Sequence, residues 1–180
     1  MGGSPKDEGS GTLAANEAGG PVVLVVDDEA VVRAYVARAL TMAGMEVAVA
    51  ADGREALRLV AEDRVRPAVV VTDIEMPEMS GVELAARLLA IRPSIRIVMM
   101  TGDAERAEAA RRHPAIVDEV ILKPMRLASI VETVRAVAAR GADRSPAGRS
   151  RAARALGVRT SAAVEAAPVG SEPAAESRDS

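Results

Sequence analysis

The chain has no cysteine, tryptophan or phenylalanine, and Tyr35 is its one aromatic residue in 180. Without thiols it has no disulfide, no cysteine nucleophile and no cysteine metal site. Its single histidine, His113, cannot form a histidine cluster, and its place before Pro114 in a polar stretch reads as an exposed loop residue rather than a phosphodonor. No apolar run approaches the ~20 residues of a membrane helix. The N-terminus lacks the basic-then-apolar order of a secretory signal. A net charge of −3 supplies no basic face of the kind that nucleic acid requires. These absences lead to the expectation of a soluble, cytoplasmic protein with neither nucleic acid nor membrane among its partners.

What remains is abundant and aliphatic. Hydrophobic residues make up 49% of the chain, so the core is built from Val, Leu, Ile, Met and Ala, a composition suited to helices packed on a buried parallel sheet. Residues 1–20 are Gly-, Ser-, Ala- and acid-rich without apolar periodicity, and read as a disordered leader. From 141 to 180 the chain is Ala-, Arg-, Ser- and Pro-rich and reads as a disordered tail, its arginines (Arg144, Arg149, Arg151, Arg154, Arg159) a solvated run. A helix near residues 149–156 would be marginal alone. One domain is thus expected over 21–140.

Within it, strand and helix patterns alternate. The β-branched run 22–26 predicts a strand covered on both faces, followed by Val32, Tyr35, Val36, Ala39 and Leu40 at helical spacing up to Gly44. Further strands are predicted at 45–50, 68–72, 95–100 and 120–122, and helices at 53–65, 81–91, 104–112 and 127–140. Met99 and Met100 fall in a core strand, and Met76 and Met79 read as loop packing. Five βα units in succession with right-handed crossovers give an α/β doubly wound parallel sheet, with helices on both faces. Function in such sheets collects beyond the carboxyl ends of the strands.

Those ends carry the charged residues. The first strand runs into Asp27-Asp28-Glu29, the third into Asp73, the fourth into Thr101-Gly102 and the fifth into Lys123-Pro124. Singly, each has an ordinary reading: acids cap helices, and a Lys-Pro pair ends a strand. Together, in one cleft, the carboxylates would repel one another and raise their pKa values. A hard divalent cation resolves that conflict, and Mg²⁺ is satisfied by two carboxylates, a backbone carbonyl and waters. A carboxylate beside Mg²⁺ can attack a phosphoryl group and form an acyl phosphate. Lys123 and the Thr101 hydroxyl are suited to hold the phosphoryl oxygens.

Asp27-Asp28, the stretch from Asp73 through Met76-Pro77 to Gly81, Thr101-Gly102 and Lys123-Pro124 together resemble the receiver domains of two-component response regulators, over residues 21–140. The resemblance implies a flavodoxin-like sheet of order 2-1-3-4-5 and phosphorylation of Asp73 by a histidine kinase or histidine phosphotransferase. It implies Mg²⁺ held by Asp28, Asp73 and the backbone carbonyl of Glu75, with Asp27 acting mainly through water. Thr101 and Lys123 would contact the phosphoryl oxygens, and the Lys123-Pro124 bond would be cis. The output would be a contact with a downstream protein through residues 104–140, without enzymatic turnover beyond the domain's own phosphorylation and dephosphorylation.

One departure stands out: Val120 occupies the position where receivers carry an aromatic switch residue. Glu75 and Asp103, each two residues past a site residue, would flank the path of the water that attacks the phosphoryl group. Two other readings are weighed against the stand-alone receiver. The first, an aspartyl-nucleophile phosphatase or phosphotransferase, gains from Glu75 two residues after Asp73. It loses because that nucleophile ends the first strand in such enzymes, and because no cap domain is evident. The second, a non-phosphorylated scaffold, is suggested by Val120 and opposed by the intact Asp28, Asp73, Thr101 and Lys123.

Overall fold

A computed structural model describes residues 21–140 and 146–155. The expected leader (1–20), the 141–145 segment and the tail beyond 155 lie outside the described residues. The strands are β1 (Val22–Val26), β2 (Glu46–Ala50), β3 (Val69–Asp73), β4 (Arg96–Thr101) and β5 (Glu119–Leu122). The helices are α1 (Ala30–Met42), α2 (Gly53–Ala61), α3 (Gly81–Ile91), α4 (Ala104–Arg111), α5 (Leu127–Ala139) and α6 (Pro146–Ala155). The strands form one sheet of order β2-β1-β3-β4-β5, every pair parallel, as the resemblance implied.

Alternation along each strand divides the core. Val23 and Val25 of β1, Val69 and Val71 of β3, and Val98 and Met100 of β4 pack with Val36 and Leu40 of α1 and Ile130, Val134 and Val137 of α5. Leu24, Val26, Val70, Ile97 and Met99 point to the opposite face, against Val60 of α2, Leu84 and Leu88 of α3 and Ala107 of α4. Strands that are apolar on both faces must be covered on both, which is why the β-branched runs show no polar alternation. Met76 and Met79 are buried in the loop after β3. His113 is exposed after α4.

Two helix ends show how termination is encoded. After α1, Gly44 adopts φ 81° while the Met45 and Gly44 N–H groups donate to the Leu40 and Thr41 carbonyls. This is a Schellman end, which glycine favours. After α2 the same bonds recur, from Arg64 to Leu59 and from Asp63 to Val60, with Asp63 at φ 59°. The apolar pattern predicted a helix to residue 65, but it stops at Ala61 because Asp63 takes the left-handed position without glycine to announce it.

The larger correction concerns the tail. Residues 146–155, expected to be disordered, form α6, and α6 lies on α3. Arg149, expected in a solvated run, is only 3% exposed. Its Nη1 and Nη2 donate to Asp118 Oδ1 at 3.1 Å and Oδ2 at 2.9 Å, and Nη2 also donates to the Ile116 carbonyl. Asp118 accepts in addition from Arg96 Nη1 at 3.1 Å and from the Ile97 N–H at 2.8 Å. Ala153 is buried in the core of the α2–α4 face, so α6 approaches α3 through small side chains. A buried, bidentate, charge-assisted pair offsets the entropy cost that a short Ala/Arg helix cannot meet alone. Arg151 and Arg154 remain exposed.

Burial acts to raise the Asp118 pKa, but the Arg149 and Ile97 hydrogen bonds and the Arg96 charge prevail and hold it below the ordinary 3.8. Arg149→Ala should lower unfolding free energy by about 3 kcal/mol in denaturant titrations, whereas the exposed Arg154→Ala should change it by less than about 0.5 kcal/mol. A carboxyl whose folded pKa is depressed adds stability above its unfolded pKa, and that stability is lost as pH falls through the folded value. Thermal melts should therefore fall more steeply with acid below about pH 3.8 in the native protein than in Asp118→Asn.

Candidate functional site

All five strands run in one direction, so their C-terminal ends share an edge, and four of them deliver polar side chains there. Asp27 follows β1 and is fully buried, Asp73 closes β3, Thr101 closes β4 and Lys123 follows β5. Lys123 Nζ lies 2.8 Å from Asp73 Oδ1 and 3.1 Å from Asp27 Oδ2. A hydrogen bond from the Lys123 N–H to the Thr101 carbonyl, at 2.8 Å, fixes the root of the lysine against β4. The Lys123-Pro124 bond is cis. Residues separated by nearly a hundred positions thus meet around one ammonium group.

Each carboxylate is oriented by backbone. Asp27 Oδ1 accepts from the Glu29 N–H at 2.9 Å, and Asp73 Oδ2 accepts from the Glu75 N–H at 2.8 Å. The second bond turns the chain sharply after β3, and Gly81 makes the turn feasible. A Cβ on Gly81 would sit 2.0 Å from the Asp73 carbonyl oxygen. Only glycine permits that approach. Thr101 Oγ1 accepts from the Asp103 N–H at 3.0 Å. Its own O–H is a donor of the kind a phosphoryl oxygen accepts. Asp103 Oδ1 in turn caps α4, accepting from the Glu105 and Arg106 N–H groups. Asp28 lies exposed beside Asp27.

Sequence reading passed over two arginines here. Arg33, on the first turns of α1, donates to the Asp27 carbonyl. Arg106 bridges Glu75 at 3.0 Å and Asp103 at 3.4 Å. Arg106 stands three residues after Asp103 on a helix, an ordinary ion-pair spacing. Nothing in the spacing announces its partner Glu75, which belongs to another loop.

The electrostatics favour a further cation. Burial pushes the Asp27 carboxyl above its ordinary pKa and the charge of Asp73 adds to this, against the opposing pull of Lys123. For Lys123 burial acts downward, but hydrogen bonds to Asp73 and Asp27 win and raise it. One ammonium therefore does not bring Asp27 back to the ordinary carboxylate range, and a site in that condition gains from a hard cation. Among the described residues no three acidic or histidine side chains form a closed ligand cage. Mg²⁺ does not need one, since it binds through one or two carboxylates with waters and phosphate oxygens completing its shell.

The profile of the response regulator receiver domain matches residues 23–135, most of the described chain. The chain belongs to the response-regulator receiver family. It is similar to the transcriptional regulatory protein PrrA of Mycobacterium tuberculosis, with 37% identity over 117 residues, covering 65% of this chain and 49% of PrrA. It thus spans about half the length of such relatives. The chemotaxis protein CheY of Thermotoga maritima is 34% identical, over 66% of this chain and 98% of CheY. Among solved structures, the response regulator TrrA of Thermotoga maritima, in complex with Mg²⁺ and BeF, aligns with a TM-score of 0.58 at 27% identity, covering 65% of this chain and 98% of TrrA. The receiver is a signalling domain of two-component systems.

Within this receiver, Val120 is 6% exposed and packs into the α2–α4 face. A buried valine has no ring to swing between outward and inward positions. Gly81→Ala should force the Asp73 loop to shift, at a cost of about 1–3 kcal/mol. The melting temperature should fall accordingly in thermal denaturation; an unchanged melting temperature would show that the loop absorbs the methyl group.

Proposed function

We propose that Asp73 accepts a phosphoryl group from a histidine kinase or histidine phosphotransferase, and that the resulting acyl phosphate is read by a downstream protein at residues 104–140. The carrying observation is Lys123 bound at once to Asp73 and Asp27 at the carboxyl edge of the sheet. Asp73 presents Oδ1 to that ammonium while Oδ2 is tied to the Glu75 N–H. Attack by a carboxylate oxygen on phosphorus would bring the transferred oxygens to the edge of the sheet that Lys123 and the Thr101 hydroxyl share. Such donors stabilise charge that develops on the equatorial oxygens. The residues that would hold Mg²⁺ are Asp28 and Asp73 with the backbone carbonyl of Glu75, Asp27 acting through water. When bound, the ion neutralises phosphoryl charge and lowers the repulsion between donor and acid cluster.

The relatives support this reading: TrrA was captured with Mg²⁺ and BeF, and CheY is matched over nearly its whole length. A phosphohistidine donor places the domain in the cytoplasm. Its chemistry is confined to its own phosphorylation and dephosphorylation. The phosphatase reading weakens further, because it needs the acid two residues after the nucleophile free to serve a leaving group. Glu75 is instead committed to the Arg106 guanidinium at 3.0 Å.

Incubation with acetyl phosphate and Mg²⁺ should add one phosphoryl group labile to base and to hydroxylamine, seen in the intact mass, and Asp73→Asn should abolish it. Lys123→Ala should still be phosphorylated, but without the change in hydrogen exchange across residues 104–140 that phosphorylation causes in the native protein. Unlabelled native protein would favour a constitutive scaffold, and rapid turnover of many phosphoesters an enzyme.

A further inference from the structure

Two acids guard the mouth of the site. Glu75 follows Asp73 by two residues, and its N–H is already committed to Asp73 Oδ2. Asp103 follows Thr101 by two, and its N–H is committed to Thr101 Oγ1. Both carboxylates are partly exposed and neither belongs to the buried Asp27–Lys123–Asp73 group. Unopposed, they would add two negative charges at the entry route of a donor that is itself anionic. A single side chain answers both. Arg106 places Nη2 3.0 Å from Glu75 Oε1 and Nε 3.4 Å from Asp103 Oδ2, so one guanidinium ties the loop after β3 to the first turn of α4.

We propose that Arg106 is a positioning residue that sets the charge at the mouth of the phosphorylation site, bridging Glu75 and Asp103 and offsetting one of their two negative charges so that anionic phosphodonors can reach Asp73. The proposal rests on the phosphoacceptor reading above. In the step concerned, an Asp73 carboxylate oxygen attacks the phosphorus of the donor, acetyl phosphate in the test. The phosphorus–oxygen bond to the acetyl group breaks, and acetate leaves with the electron pair. Arg106 takes no part in bond making; it acts on the approach. As an exposed pair it adds little to stability. Its effect on an incoming charged ligand is a field effect, which salt weakens.

The test uses the full chain with Mg²⁺ and acetyl phosphate, following the intact mass against time. At low salt Arg106→Ala should be phosphorylated about five-fold more slowly than the native protein. The deficit should shrink below about two-fold in 1 M salt, where the Debye length is about 3 Å. Arg106→Lys should retain most of the rate, and Arg106→Ala combined with Glu75→Gln should recover it. Arg38→Ala, on the exposed side of α1, makes the same change in net charge and should leave the rate unaltered.

A second readout separates a field effect from damage. Removing a positive charge beside an acidic site should tighten Mg²⁺ binding about two-fold in calorimetry while it slows phosphorylation, whereas a distorted site would lose both. If native protein is labelled and Arg106→Ala keeps pace with it at low salt, Arg106 has no such role. A deficit that ignores salt and is not recovered by Glu75→Gln also overturns the proposal. Native protein that takes no phosphoryl group would instead remove the phosphoacceptor reading, and this inference with it.

Discussion

The arrangement depends on one ammonium group. Lys123 Nζ sits between two carboxylates, one of them fully buried, that come from the neighbouring strands β1 and β3. Two buried carboxylates held together would each resist ionisation, and the strand ends would be pushed apart. With the lysine between them the edge closes, although Asp27 remains above its ordinary pKa. The same balance that stabilises the edge leaves it short of positive charge. On the proposed reading, such an edge would take a cation and a phosphoryl group together, because each supplies the charge the other requires.

The opposite edge of the sheet is pinned by a second buried network. Arg96 opens β4 and Asp118 immediately precedes β5, so the Arg96–Asp118–Arg149 group holds the entry of the two strands whose exits carry Thr101 and Lys123. The register between these strands therefore has an ionic anchor at its entry, a backbone hydrogen bond from Lys123 to the Thr101 carbonyl at its exit, and apolar side chains between. That matters because β5 is only four residues long and contributes few ladder bonds of its own. By holding Asp118, α6 acts as part of the receiver's core and not as an appendage to it.

Much of this was legible in the residues. The β-branched runs stop abruptly at Asp27, Asp73, Thr101 and Lys123, and a buried parallel strand has no reason to turn polar there unless its end is used. The periodicity of α1, α3 and α5 marked their inner faces equally well. Three features were not legible, each for a physical reason. The end of α2 rests on Asp63 in a left-handed conformation, a position that sequence patterns assign to glycine. Helix α6 rests on Arg149, whose burial is intelligible only once Asp118 and the Ile116 carbonyl are placed beside it. Arg106 pairs with Glu75 across two loops, and no spacing rule encodes that contact. In each case the determinant is a tertiary partner and not a local pattern.

Val120 bears on how a phosphoryl group at Asp73 could be felt elsewhere. With no ring to rotate, the route to residues 104–140 must begin at Thr101, and the bonds there are already in series. The Asp103 N–H donates to Thr101 Oγ1, and Asp103 Oδ1 caps the first turn of α4. In the proposed reaction, a hydroxyl drawn toward a phosphoryl oxygen would carry its oxygen away from the Asp103 N–H. The cap of α4 would then have to follow or break. Helix α4 is eight residues long and buries only Ala107 and Ala110, so little apolar contact resists such a shift. On the proposed reading, a weakly anchored helix, capped by a residue bonded directly to the Thr101 hydroxyl, would supply the responsive element that the aromatic side chain provides in other receivers.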